Sequence, residues 1–190
     1  SYFTPLIWDF TILEINYLQS TNLIGIGKVG LSFVNFVMSK SFAPNNSTLV
    51  LNKRKSPESS IGVCEVFCEE SSAEVDYAKI AERQDNGQPS LIVFSGAGKF
   101  SGDAAIRLNK ALELNGQSTS LVVIGPFKFE GEKAQKRTDD VLDKLKKVSA
   151  IFHYLSNQDI FSLISPTASF EDGFAKMNSE IFSFCRNFQK

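Results

Sequence analysis

Two hydrophobic periods take turns along this chain, and each change of period marks a new element. Residues 21–25 form a short apolar run that ends in glycine, and residues 31–38 carry apolar positions at helical spacing. Residues 47–52 read as a strand that ends in the basic turn Lys53-Arg54-Lys55, with Pro57 just beyond. Residues 61–68 alternate as a strand, and residues 73–83 read as a short helix closed by Asn86-Gly87. A buried-strand run follows at 91–95, then a helix over 104–114 with Asn115-Gly116 as its stop. The rest predicts a strand at 121–124, a charged amphipathic helix at 132–147, a strand at 148–155 and a helix at 170–188. That last helix lines up Phe170, Phe174, Met177, Ile181, Phe182 and Cys185 along one side. Residues 7–18 fit neither period, so 1–20 stand as an N-terminal extension of uncertain structure and 21–190 as the folded domain. Such alternation predicts an α/β fold: a three-layer, Rossmann-like parallel sheet, its apolar strands buried by helices on both faces.

Composition changes this picture little. The 190 residues suit one domain, and hydrophobic residues at 43% with charged ones at 22% are ordinary globular usage. Phe is over-represented at 17, which predicts an aromatic-rich core. Twenty basic and 21 acidic residues leave a net charge of -1, so no electrostatic case exists for nucleic acid or an anionic membrane. No apolar run has the length of a membrane span, and the first fifteen residues lack the basic start of a signal peptide. Three cysteines, Cys64, Cys68 and Cys185, form no framework pattern, which predicts reduced thiols and a cytoplasmic location. Cys64 and Cys68 share a strand face and the one histidine, His153, sits in an apolar run, so core thiols and a core histidine are expected rather than a zinc site.

Ligands on such sheets bind beyond the carboxyl ends of the strands, so the loops there carry the chemistry. Four stand out. Gly25-Ile26-Gly27-Lys28-Val29-Gly30 follows a strand and opens a helix, with the spacing of a dinucleotide turn. Gly96-Ala97-Gly98-Lys99-Phe100-Ser101-Gly102 again joins strand to helix, but Phe100 after Gly98-Lys99 breaks the Walker pattern. Pro126-Phe127-Lys128-Phe129-Glu130-Gly131 follows the fifth strand, and Ser156-Asn157-Gln158-Asp159 the last.

Together these loops resemble the FtsZ/tubulin family, and its FtsZ branch in particular. Residues 126–131 match the family's PFxFEG loop, the most specific short match here. Residues 25–30 are similar to its GxGGxG turn. Residues 96–102 align with its GGGTG(S/T)G signature, where Gly96, Gly98, Ser101 and Gly102 match. Asn157 falls where the family reads guanine with an Asn, and Phe174 and Asn178 fall where it stacks on and hydrogen-bonds the base. The resemblance implies a nucleotide-binding set of Gly25, Gly27, Lys28, Gly30, Gly96, Gly98, Lys99, Ser101, Gly102, Pro126, Glu130, Asn157, Phe174 and Asn178. It implies GTP or GDP as the ligand, retained weakly or lost, with no other cofactor and no metal.

Departures fall on the phosphate side. Lys28 and Lys99 stand at small or glycine positions, where they could serve as point charges. Phe100 brings a bulky ring to the phosphate loop. Ala134 replaces a family Arg, which Lys136 or Arg137 could replace only from another helix face. Glu69 and Glu70 place two carboxylates in the loop that would meet the terminal phosphate. The family's acidic loop and second domain, which would follow the final helix, have no counterpart within the 190 residues. No catalytic residue is assigned. The expectation is a divergent FtsZ-like domain, not a hydrolase, that modulates FtsZ- or tubulin-type filaments in division or a related cytoskeletal role and has a division or cytoskeletal protein, or a second copy, as partner. Two alternatives stay open. One is an active, polymer-forming GTPase. The other is an NADP-dependent oxidoreductase fragment, with Lys53, Arg54 and Lys55 placed for a 2′-phosphate.

Overall fold

A computed structural model describes residues 12–40, 44, 46–54, 65–162, 167 and 169–188. Six strands, β1 (Asn22–Ile26), β2 (Ser47–Asn52), β3 (Glu65–Glu69), β4 (Ser90–Ser95), β5 (Thr119–Ile124) and β6 (Ile151–Leu155), form one sheet. Every pairing is parallel and the order is β3-β2-β1-β4-β5-β6. The chain winds outward from β1 to β3, then crosses back and winds out from β4 to β6. The expected Rossmann-like sheet is therefore present, and its topological switch point lies between β1 and β4.

Alternating strand residues feed two separate cores. Leu91 and Val93 join the cluster under α2 (Gly27–Met38) and α7 (Phe170–Phe184), with Phe33, Val34, Met177, Ile181 and Phe182. Ile92 and Phe94 face the other way, into the cluster under α3 (Tyr77–Arg83), α4 (Lys99–Leu114) and α5 (Glu132–Lys147), with Ile80, Ala104, Leu108 and Leu145. At about 25 cal/mol per Å² of apolar surface, burial on both faces is what fixes the central strands. The edge strands differ from the expectation of two-sided burial. β3 leaves Val66 43% exposed, and β6 leaves Ile151 58% exposed, because each lacks a neighbour on one side.

Several boundaries move. Residues 12–19, ambiguous in pattern, form a helix, α1 (Ile12–Gln19). α2 and α4 begin four and five residues earlier than the apolar periodicity predicts, because their first turns, residues 27–30 and 99–102, hold a single large apolar residue each, Val29 and Phe100. The predicted helix over 73–83 divides into a 3-10 turn at Ser72–Glu74 and α3, since Asp76 caps α3 by accepting from Lys79 N–H at 3.0 Å. β6 starts at Ile151 because α5 ends through Ser149, at φ 54, in the left-handed position more often taken by glycine. The final helix becomes 3-10 at Cys185–Phe188. His153 is half-buried on edge strand β6 rather than enclosed in the core, its ring 4.1 Å from that of Phe184, and burial holds its pKa below the ordinary value. Cys64, Lys55 and Pro57 lie outside the described residues. No helix among the described residues is long and apolar enough to cross a membrane.

Candidate functional site

At the switch point, β1 gives way to α2 at Gly27, whose φ of +67° favours glycine. The neighbouring glycines have a different reason. A Cβ on Gly25 would lie 2.5 Å from the Gly30 carbonyl oxygen, and one on Gly30 would lie 2.7 Å from the Val93 carbonyl oxygen. These two glycines seat α2 against β1 and β4, and Lys28 stands exposed at the rim.

The β4–α4 loop faces this turn closely: a Cβ on Gly27 would come 3.4 Å from Ser101 Cβ. Ser101 Oγ donates to the Ser95 carbonyl at 2.7 Å, and Ser95 Oγ accepts from Ala97 N–H at 3.2 Å, so the loop is tied to its own strand. On Gly98 a Cβ would sit 2.4 Å from Ser101 Oγ, which leaves no room for a side chain. Gly96 and Gly102 face α5 instead: a Cβ on either would come 2.9 Å from Thr138 or Val141 respectively. Lys99 is exposed. The Phe100 ring is half-buried and packs against the cluster that contains Ile26, Phe94 and Ala104. Its aromatic surface thus has an apolar destination.

Helix caps set this end of the sheet apart. α3 is capped by Asp76, and α7 by Ser169, which exchanges hydrogen bonds with Asp172. α6 (Asn157–Ser162) uses Ser156, whose Oγ accepts from Asp159 N–H at 3.4 Å. α2 and α4 have neither a side-chain cap nor an acidic residue in the first turn. Among the described residues, the backbone N–H groups of Gly98, Lys99 and Phe100 donate to no protein acceptor. Two helix N-termini, each equivalent to roughly half a positive charge, therefore flank the switch point with open donors. That arrangement suits an anion.

Further candidate residues lie on α6 and α7. Asn157 is 8% exposed and, with Ser156 acting as the cap, makes no side-chain hydrogen bond among the described residues. Asn178, 5% exposed, donates from Nδ2 to Ser32 Oγ at 3.1 Å, yet its Oδ1 is buried without a donor among the described residues. A buried acceptor left unpaired costs about 1–3 kcal/mol, and Ser90 Oγ, Gln117 Oε1 and Thr119 Oγ1 are unpaired in the same way. Phe174, one turn before Asn178, lies on the same side of α7 as Met177 and Ile181 but nearer the start of the helix, where it is 46% exposed. Ser32, which orients Asn178, lies 146 residues away in sequence and carried no signal of its own.

In the β5–α5 loop, Pro126 is buried and Phe127 stacks on Phe129 at 5.0 Å. Glu130 accepts from Phe127 N–H at 2.7 Å, so its carboxylate closes its own loop. In the β3–α3 loop, Arg54 pairs with Glu70 at 3.1 Å, which occupies one of the two carboxylates expected there. Ser72 donates to Asp103 at 2.6 Å and Arg107 adds a 2.7 Å ion pair. Burial alone would push the Asp103 pKa up, but the Ser72 and Arg107 hydrogen bonds hold it below the usual carboxylate value. On α5, Ala134 is buried, and Arg137 reaches the phosphate loop: its Nε donates to the Ala97 carbonyl at 2.6 Å. No group of three or more metal-ligating side chains occurs among the described residues.

Comparison with known proteins gives the fold. No family model and no curated protein sequence matches the chain. Solved structures do. A W319Y mutant of FtsZ from M. jannaschii superposes with a TM-score of 0.69 at 15% identity, over 92% of this chain and 58% of that one. CetZ2 from Haloferax volcanii, a GTPγS-bound protofilament, gives 0.71 at 20% identity, over 88% and 57%. TubZ from Clostridium botulinum phage c-st gives 0.65 at 12%, over 90% and 59%. The chain has the FtsZ/tubulin-type nucleotide-domain fold, and it spans a little over half the length of the structures it matches.

Proposed function

We propose that this FtsZ/tubulin-type domain binds a guanine nucleotide weakly at the β1/β4 switch point, turns it over slowly or not at all, and acts by associating with filaments of FtsZ or tubulin type. One observation carries the nucleotide reading. The uncapped, acid-free helix N-termini of α2 and α4 lie at the switch point, and Asn178, whose Oδ1 is orphaned, is hydrogen-bonded to Ser32 of α2 and stands one turn from the half-exposed Phe174. Anion-seeking backbone on one side and a polar-aromatic pair on the other match the chemistry of a phosphorylated base. The glycines at 25, 27, 30, 96, 98 and 102, with Lys28, Lys99 and Ser101, form the phosphate half. Asn157, Phe174 and Asn178 form the base half, and Pro126 and Glu130 shape the loop between.

Slow or absent hydrolysis is supported by the fate of the nearby carboxylates. Glu70 is paired with Arg54, Glu130 with its own loop, and Asp103 with Ser72 and Arg107. None of these three is left to activate a water. The filament role is supported by the fold it shares with FtsZ and TubZ and with CetZ2, whose structure is a protofilament. The NADP reading loses support because Arg54 is engaged by Glu70. Co-sedimentation with a full-length FtsZ-type protein from the same cell tests the role. The expected result is a change in polymer mass or length at equimolar ratio, with GTP consumption no higher than the partner's own. Unchanged polymer would overturn it.

A further inference from the structure

α5 does more than cover the sheet. Three of its residues press on the β4–α4 loop: Thr138 and Val141 against the Gly96 and Gly102 positions, and Arg137 through its 2.6 Å hydrogen bond to the Ala97 carbonyl. A trans peptide holds its C=O and N–H antiparallel. With the Ala97 oxygen drawn toward α5 by Arg137, the N–H of the same peptide, that of Gly98, points away from α5. Ala97 N–H is already occupied by Ser95 Oγ, so Gly98 N–H is the first open donor of the α4 start.

From this geometry we infer that Arg137 is a positioning residue, which holds the Ala97–Gly98 peptide so that Gly98 N–H is presented to a phosphate bound at the switch point. The inference rests on the nucleotide reading above. Without the clamp, glycines on both sides of Ala97 leave this peptide easy to rotate, and a rotated peptide would place a carbonyl oxygen where the anion sits. Arg137 and Gly98 line one cleft of about 160 Å³ between α4 and α5, where Lys99 and Lys144 are balanced by Asp103 and Asp140.

The test uses the whole chain as the parent, Arg137→Ala and Arg137→Lys proteins, titrated with GDP and with guanosine, while the Gly98 amide is followed by NMR as inorganic pyrophosphate is added. The expected result is about tenfold weaker GDP binding by R137A with guanosine binding unchanged, and loss of the Gly98 response to pyrophosphate. R137K, which can still donate to the Ala97 carbonyl, stays within about threefold of the parent. Equal GDP binding by the parent and R137A overturns the inference and leaves the nucleotide reading intact. Equal loss of GDP and guanosine marks Arg137 as merely structural. R137K as weak as R137A, with guanosine intact, points to direct phosphate contact and overturns the positioning role. A parent chain that binds neither GDP nor pyrophosphate overturns both readings.

Discussion

The two halves of the proposed nucleotide site are built from different material. The base half relies on side chains: Asn157, Phe174 and Asn178 present an amide, a half-exposed ring and an orphaned acceptor. The phosphate half relies on backbone: open N–H groups at the starts of α2 and α4, held in place by glycines that pack against helices and strands. Side-chain recognition cannot survive substitution of its residues. Backbone recognition can, provided the new side chain has somewhere else to go. Phe100 shows this, because its ring packs into the apolar cluster under α4 and leaves the loop's peptide groups in place. Substitution on the phosphate side is thus less damaging than residue identity suggests.

The comparison can be broken first at Asn178. Asn178→Ala removes the orphaned acceptor and the hydrogen bond to Ser32 Oγ. Guanosine and GDP affinities are expected to fall together, by roughly 10- to 100-fold, since one well-made hydrogen bond pair is worth about 1–3 kcal/mol. A variant that weakens GDP but not guanosine would move Asn178 out of the base half. The phosphate half is sharpened by a pair of variants. Gly27→Ala forces a Cβ onto a φ of +67°, at about 1 kcal/mol, and is expected to lower the thermal midpoint and weaken GDP about fivefold while guanosine is spared. Phe100→Gly, which restores the glycine of the resembled motif, is expected to change GDP affinity by less than about twofold. Its main effect should be a modest loss of stability from the vacated cluster. A large gain in GDP affinity on Phe100→Gly would show the ring inside the phosphate cradle after all.

Much of this arrangement was legible in the sequence, and the unread parts share a cause. Sheet and helix alternation followed from period, because strands buried on both faces and amphipathic helices leave separate patterns. The proposed base-half residues came from the family resemblance, by their order and spacing. Helix starts were misplaced at Gly27 and Lys99 because those turns are defined by what their backbone leaves unbonded, which no apolar pattern records. The roles of Ser32 and of the Arg137–Ala97 contact depend on pairs 146 and 40 residues apart, which only the fold brings together. Likewise, Glu70 and Glu130 read as charges until the structure supplied Arg54 and the Phe127 N–H as their partners. Phe174 shares the apolar side of α7 with Met177 and Ile181, and its exposure comes from its place nearer the helix start, which spacing does not record.

The most direct test of a site with a side-chain base half and a backbone phosphate half is competitive titration of the parent chain with GDP, ADP and guanosine. The account predicts micromolar GDP, with ADP and guanosine each weaker by about tenfold or more, the first for want of the guanine contacts and the second for want of the phosphates. GDP and ADP binding equally, or no binding of any of the three, would contradict it.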